Sequence, residues 1–270
     1  MIVQHNMTSM NANRQLGITV GNQAKATEKL SSGYKVNRAG DDAAGLTISE
    51  KMRSQIRGLN KASTNAEDGI SAIQTAEGAL NEAHEILQRM NELATQAAND
   101  TNTSADRTAI KKEVDALTSE LNRIASTTQF NTMNLLDGSF TGKKLQVGAL
   151  NGQTISMSIG SMYATTLKVN ALKVDSNTNA GKAMSSVQAA ISKVSTQRSA
   201  LGALQNRLEH TVKNLDTTAE NTQAAESRIR DTDMAAQMVE YSKNSILQQA
   251  GQSMLAQANS ANQGVLSLLQ

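Results

Sequence analysis

Residues 59–97 read LNKASTNAEDGISAIQTAEGALNEAHEILQRMNELATQA. Within them Leu59, Ala62, Ala66, Ile70, Ile73, Ala76, Leu80, Ala83, Leu87, Met90, Ala94 and Ala97 recur at a mean interval of about 3.5 residues, the spacing of a coiled-coil seam. The stripe predicts one long helix over 43–99, with Asp41 and Asp42 standing where an N-cap belongs. Gly58, Gly69 and Gly78 are expected to weaken that helix locally. The chain contains no proline, so nothing in it forbids helices of this length.

Outward from this stretch, Asp100-Thr-Asn-Thr-Ser104 reads as a loop, and Thr103 with Asp106 fits a capping box for a second helix carrying Ile110, Val114, Leu117, Leu121 and Ile124. Residues 143–174 change period. Leu145, Val147 and Ala149 alternate with polar or small residues, as do Ile155, Met157 and Ile159, and Asn151-Gly152 between them predicts a hairpin with a type I′ turn. Leu167, Val169 and Ala171 suggest a third strand. After a polar link at 175–180, Val187, Val194, Leu201, Leu208 and Leu215 lie seven apart. Ala183, Ala190 and Leu204 fill much of the second seam position, while Arg198 and Gln205 interrupt the neighbouring stripe. The expected fold is mainly α: an elongated helical coiled-coil rod with a small β-hairpin region at about 143–174. Its core is expected at Leu59, Ile70, Ile73, Leu80, Leu87, Val114, Leu117, Leu121, Val187, Val194, Leu201, Leu208 and Leu215.

The two ends are thinner. Residues 1–40 carry Arg14, Lys25, Lys29, Lys35 and Arg38 against the single acid Glu28, and their apolar residues Met10, Leu16, Val20, Ala24 and Leu30 are sparse at roughly helical spacing. A helix this poor in apolar residues needs a partner, and Gly33 and Gly40 punctuate its end. Residues 233–270 form a second amphipathic stretch through Met234, Met238, Tyr241, Ile246, Ala250, Met254, Ala258, Ala261, Val265 and Leu268. Its opposite face is Gln, Asn and Ser, with charge only at Asp233, Glu240 and Lys243. Such a face fits either a solvated tail or a helix packed among copies of itself, where repeated charge would repel.

Composition removes several classes of function. Three tyrosines and two phenylalanines, with no tryptophan, cannot fill a broad globular core, and the 39% apolar fraction is low for the 270 residues. The absence of cysteine excludes disulfides, thiolate metal sites and cysteine nucleophiles. His5, His84 and His210 have no second ligand at metal spacing. There is no glycine-rich phosphate loop, no Ser-His-Asp constellation stands out, and Asp41-Asp42 reads as capping. No cofactor and no enzymatic activity are expected. A net charge of +2, with only Tyr34 among the basic residues of 1–40, argues against nucleic acid. No apolar run is long enough for membrane insertion, and the Met1–Thr8 stretch lacks the basic start and apolar run of a secretory signal.

Two stretches at opposite ends carry a resemblance: Leu30–Gly45 (LSSGYKVNRAGDDAAG), and Ala224–Ala235 (AAESRIRDTDMA) leading into Gln248–Asn259 (QQAGQSMLAQAN). Both closely resemble bacterial flagellin, and Thr128–Gly138 (TQFNTMNLLDG) resembles the turn after the second flagellin helix. Hook–filament junction proteins share flagellin-like ends, but the likeness through 41–138 favours flagellin. The resemblance implies a secreted structural subunit that polymerises with itself into the extracellular filament of the bacterial flagellum, serving swimming motility. It also implies passage through the flagellar type III export apparatus, with an export chaperone and a filament cap as partners. By the same resemblance, 1–42 is an N-terminal inner-core helical segment, 43–180 the N-terminal part of an outer-core rod, 181–230 its C-terminal helix, and 231–270 the C-terminal inner-core helix. Inner-core assembly then falls to Met10, Leu16, Val20, Leu30, Ile246, Met254, Val265 and Leu268. The interval 175–180, where the family inserts variable outer domains, is here only a short link, which makes this a minimal flagellin-like chain. Flagellins recognised by Toll-like receptor 5 carry a Gln-Arg-x-x-Glu-Leu-x-x-Gln face. Gln88, Arg89, Glu92, Leu93 and Gln96 match it, and Glu113 resembles the family's contributing glutamate on the neighbouring helix. The resemblance therefore makes the monomer an expected ligand of that receptor.

Overall fold

The computed structural model describes residues 6–267, with side chains described as far as Ser260. The chain divides into two units, one comprising the residues up to Ser54 and from Asn221 onward, the other Gln55–Glu220. In chain order the elements are α1 (Met7–Ser32), α2 (Ala43–Ala97), α3 (Ser104–Thr127), β1 (Gln129–Phe130), β2 (Met133–Asn134), β3 (Lys143–Gln146), β4 (Thr154–Met157), α4 (Ala164–Leu167), α5 (Asn177–Arg230) and α6 (Met234–Ser267).

The larger unit is built on the helical stripes. Ile73, Leu80, Leu87 and Met90 of α2, Val114 and Leu121 of α3, and Val187, Val194, Leu201 and Leu208 of α5 are buried in one core. Ile70 and Leu117 pack on its margin, half buried. Leu59 joins Leu215 in a smaller cluster with Ala62 and Ala219. Between the large residues stand buried alanines, among them Ala66, Ala76, Ala83, Ala183 and Ala190. Small side chains at alternate seam positions let helices approach closely, so a narrow bundle fills its interior with Phe140 as its one buried aromatic residue among those described. Arg198, which breaks the neighbouring stripe, reaches Glu77 at 3.8 Å. The capping box at α3 forms on both sides: Asp106 N–H donates to Thr103 Oγ1 at 3.3 Å, and Thr103 N–H donates to Asp106 Oδ2 at 2.9 Å.

The β region departs from the sequence pattern in three places. β3 and β4 pair antiparallel, Lys143 with Met157 through Gln146 with Thr154. However, the loop between them is wider than two residues. Only Gly152 takes a positive φ of 87°, and Asn151 does not, so the expected type I′ turn is absent there. Side-chain amides close the loop instead. Gln146 Nε2 donates to the carbonyls of Gly148 and Leu150, both at 2.7 Å, and Leu150 N–H donates to Gln153 Oε1 at 3.0 Å. Val147 and Ala149 therefore lie in the loop rather than on a strand.

A two-residue turn with both φ angles positive occurs earlier, at Asn131 (46°) and Thr132 (63°), joining β1 to β2. Type I′ geometry demands that pair of angles, and a β-branched threonine is a poor advertisement for it. The third strand does not form. Leu167 ends the single turn α4, Lys168 follows in the left-handed region at φ 62°, and Val169 N–H closes back on the Ala164 carbonyl at 2.8 Å. Leu167, Val169, Leu172 and Val174 are buried and alternate with exposed residues from Lys168 to Lys173. Over this segment the irregular alternation reports one-sided burial, not strand pairing.

Two of the three glycines expected to weaken α2 have a packing role. A Cβ at Gly58 would stand 2.8 Å from Ala149 Cβ and 3.2 Å from its Cα, and one at Gly69 would stand 2.5 Å from Leu145 Cδ1. The β3–β4 hairpin thus rests on α2 where α2 has no side chain. Gly78 faces open space.

Substitutions in the two environments should separate these roles. Leu201→Ala truncates a buried side chain and should lower stability by roughly 2–5 kcal/mol, so an unchanged denaturation midpoint would take Leu201 out of the core. Gly78→Ala should raise stability by about 0.5–1 kcal/mol through helix propensity alone. Gly58→Ala should lower it, because the Ala149 backbone must shift. Thermal melts that move the same way for both glycines would show that the hairpin does not lean on α2 at Gly58.

Candidate assembly and receptor surfaces

The smaller unit brings the two motif-bearing ends of the chain together. Asn6 caps α1, its Oδ1 accepting from Ser9 N–H at 3.0 Å, and its Nδ2 donates to the Ala258 carbonyl of α6 at 2.8 Å. Ser9 Oγ donates to Asn259 Oδ1 at 2.7 Å. At the other end of α1, Gly33 takes the left-handed cap position at φ 74°, and its carbonyl accepts from Thr232 N–H at 3.0 Å. Lys35 N–H donates to the Arg230 carbonyl at 2.6 Å, and the Arg230 guanidinium lies 4.5 Å from the centre of the Tyr34 ring. The helices α1 and α6 are therefore antiparallel, with the LSSGYK and RIRDTD stretches paired where one ends and the other begins.

The connection between α1 and α2 is held by polar groups. Glu28 Oε1 accepts from Asn37 Nδ2 at 2.9 Å and from Arg38 Nε at 2.8 Å, and these contacts lower its carboxyl pKa, the Asn37 bond most. Asp41 Oδ2 accepts from the backbone N–H groups of Arg38 and Asn37, and those two bonds lower its pKa. Asp42 caps α2 by accepting from Gly45 N–H at 2.9 Å. The adjacent carboxylates thus do different work: Asp42 caps the helix as expected, whereas Asp41 ties down the preceding turn.

The seam between α1 and α6 is unlike the core of the larger unit. The residues of α1 withdrawn from water at heptad spacing are Ser9, Ala12, Leu16, Thr19, Gln23, Ala26 and Leu30. Those of α6 are Gln237, Tyr241, Asn244, Gln248, Gly251, Leu255 and Ala258. Leu16 fits against Gly251, where a Cβ would lie 3.2 Å from Leu16 Cδ1. Most of the seam is polar or small. Of the residues expected to make inner-core contacts, Leu16 and Leu30 stand half-buried on the seam, as do Tyr241 and Ala258 of the sequence stripe. The others lie off it: Met10 is 62% exposed and Ile246 66%, and Val20 and Met254 are exposed too. The apolar stripe read from sequence mixes two faces, and most of the larger apolar side chains of both helices point away from the pair. Among the described residues, ten of the thirteen exposed large apolar side chains belong to α1 and α6. Val265 is described only as helical backbone, and Leu268 and His5 lie outside the described residues.

The second candidate surface is on α2 and α3. Arg89 donates from Nε and Nη2 to Glu113 Oε1 at 3.0 and 2.9 Å, and from Nη1 to Glu92 Oε2 at 3.0 Å. The Glu92 bond, then the Glu113 bond, raise the guanidinium pKa. Gln88 pairs with His84 Nε2 at 2.8 Å, and the Gln96 side chain is exposed. Leu93 corrects the sequence reading. It is 2% exposed and belongs to the core, so it presents no apolar side chain beside Arg89. One turn separates them, but the stripe that carries Leu80, Leu87 and Ala94 takes Leu93 inward.

Among the described residues no group of three His, Asp or Glu side chains is placed to hold a metal, and no helix is long and apolar enough to cross a membrane. Residues 3–141 match the family model of the bacterial flagellin N-terminal helical region, and residues 184–269 that of the bacterial flagellin C-terminal helical region. The chain is 54% identical over 271 residues to a flagellin of Halalkalibacterium halodurans, and 52% identical over 286 residues to a flagellar filament 31.3 kDa core protein of Treponema maltophilum. Both alignments cover 100% of each protein. The crystal structure of Bacillus cereus flagellin superposes with a TM-score of 0.50 at 30% identity, over 60% of this chain and 94% of that one. These matches span both units and both ends, and with them the chain belongs to the bacterial flagellin family, structural subunits of the flagellar filament rather than enzymes.

Proposed function

We propose that α1 and α6 together form the inner assembly layer of the filament subunit, with self-contacts made through the side chains that their shared seam leaves outside. The observation that carries this is the inverted arrangement of the pair: polar and small residues within, Met7, Met10, Ile18, Met234, Met238, Ile246 and Met254 without. Each such side chain gains about 1.5–3 kcal/mol on full burial, and only another molecule can supply that burial. The occupant is a second copy of the chain, because α6 is nearly free of charge and its Lys243 and Glu240 already pair at 3.4 Å. Copies of such a helix pack side by side without repulsion. On this reading 1–42 and 231–270 are the inner-core segments, and 43–180 with 181–230 the outer core. Secretion by the flagellar type III apparatus, with an export chaperone and a filament cap, agrees with family membership and with an end pair that is easily separated.

A second reading concerns the Arg89 face. We infer that the monomer binds Toll-like receptor 5 through Gln88, Arg89, Glu92, Gln96 and Glu113. Arg89 supports this: its fork is oriented by two glutamates yet remains half exposed. An arginine fixed in one rotamer loses little freedom on binding. Leu93 contributes from beneath, by holding this turn of α2 in place.

Ile246→Glu tests the assembly reading. The site is exposed, so stability should change by no more than about 0.5 kcal/mol, while seeded polymerisation should fail. Normal filaments from this variant would remove the outward face of α6 from assembly.

For the receptor, Arg89→Ala should weaken binding of monomer to the receptor ectodomain by about 2 kcal/mol, roughly thirtyfold, without lowering the melting temperature. Leu93→Ala should lower the melting temperature first. Equal affinities of wild-type and Arg89→Ala monomers would confine Arg89 to the surface of the subunit.

A further inference from the structure

The methionines of this chain are sorted between the two units. Met90, Met157 and Met162, in the larger unit, are buried in its core. Met7 and Met10 on α1, and Met234, Met238 and Met254 on α6, are between 48% and 68% exposed and stand on the outward faces. Among the described residues only one further methionine is exposed, Met133 in the β1–β2 hairpin, at 41%. The chain has no cysteine and no tryptophan, so its thioethers are the groups that yield first to a two-electron oxidant. Methionine is a flexible apolar side chain whose sulfoxide is polar and chiral, and that change disrupts methionine-rich contacts.

We propose that Met7, Met10 and Met254 toward one end of the α1–α6 pair, and Met234 and Met238 toward the other, are oxidation-sensitive positions at which hydrogen peroxide switches the free subunit out of polymerisation. The thioether sulfur attacks one oxygen of hydrogen peroxide, an S–O bond forms as the O–O bond breaks, and the displaced hydroxide takes the proton from the transferred oxygen and leaves as water: the sulfur loses two electrons and the peroxide gains them. The modified side chains remain on the surface, so the subunit keeps its fold and core while its outward faces become polar. The proposal rests on the assembly reading above, because the switch acts only if these faces are buried between copies. It adds a state dependence: a subunit already in the filament shields the same sulfurs from the oxidant.

The test is mild hydrogen peroxide treatment of full-length monomer and of assembled filament, with sulfoxide at each methionine counted by peptide mass spectrometry, followed by seeded growth. In the monomer the five α1 and α6 methionines should oxidise well before Met90, Met157 and Met162, and the concentration needed for growth should rise about tenfold or more. A variant with all five replaced by leucine should keep growing after peroxide, whereas Met133→Leu should remain as sensitive as wild type. Should the fivefold variant not polymerise even untreated, methionine sulfoxide reductase acting on oxidised wild type decides the matter, because growth must return with the thioethers. Undiminished growth of fully oxidised monomer, or no recovery after reduction, overturns the switch. Equal oxidation of the five sulfurs in monomer and filament overturns instead the assembly reading beneath it.

Discussion

The contact on which the rest of the smaller unit depends is a seam that gains little by leaving water. Ser9, Thr19 and Gln23 of α1 and Gln237, Asn244 and Gln248 of α6 line the seam, with Ser9 bonded to Asn259 and Leu16 against Gly251 as one of its few apolar fits. Amides and hydroxyls withdrawn from water without strong partners contribute little net stability. Backbone ordering opposes pairing by about 1–2 kcal/mol per residue. The pair is therefore held largely at its margins, by Asn6 on the Ala258 carbonyl and by the Gly33–Thr232 and Lys35–Arg230 hydrogen bonds. Most of its larger apolar side chains face outward. The larger unit obeys the opposite rule, burying leucine, isoleucine and valine against alanine in a core that is complete in itself.

That contrast divides the labour of a filament subunit. One unit has an apolar core of its own and offers a charged, oriented surface at Arg89, Glu92 and Glu113. The other pairs its helices through a mostly polar and small seam and leaves most of its larger apolar side chains exposed. Glycine marks contact sites in both. Gly58 and Gly69 admit the hairpin to α2, and Gly251 admits Leu16 to α6. At these three positions the absence of a side chain is the fit, whereas Gly78 has no neighbour to accommodate.

Long periodic signals were legible. The seven-residue repeat from Val187 to Leu215 and the stripe from Leu59 to Ala97 give α5 and α2, because burial at heptad spacing is a property of sequence alone. The Thr103–Asp106 box is local and formed as read. What sequence could not supply depends on partners distant along the chain. Asn151-Gly152 has the composition of a type I′ turn, yet glutamine side chains close a wider loop there, and Asn131-Thr132 turns tightly with a threonine in a disfavoured region. Leu93 and Arg89 sit one turn apart, but only the position of α3 and α5 decides which of them points inward. In α6 the polar seam and the apolar exterior invert the usual rule, so a stripe drawn through apolar residues crossed from one face to the other. The receptor surface came from family resemblance, with Leu93 the member the fold takes away. The exposed methionine set has no sequence signature, because nothing in the spacing of Met7, Met10 and Met254 distinguishes them from Met90.

The pairing of α1 with α6 also sets an order of events in folding. Asn6 and Ala258, joined by a hydrogen bond, lie 252 residues apart. Closing a loop of that length in an unfolded chain carries a logarithmic entropy term of about 5 kcal/mol, more than so polar a seam returns. The larger unit shortens the search: once Leu59 and Ala62 meet Leu215 and Ala219, most of the intervening chain is already gathered. As the chain emerges in sequence, α1 appears early and must wait, unpaired, for nearly all that follows it. Its three basic residues, Arg14, Lys25 and Lys29, against the single acid Glu28 keep that waiting segment soluble. Its few apolar side chains give it little to misfold with. A contact of such separation along the chain, with so little apolar surface, is expected to close last and open first.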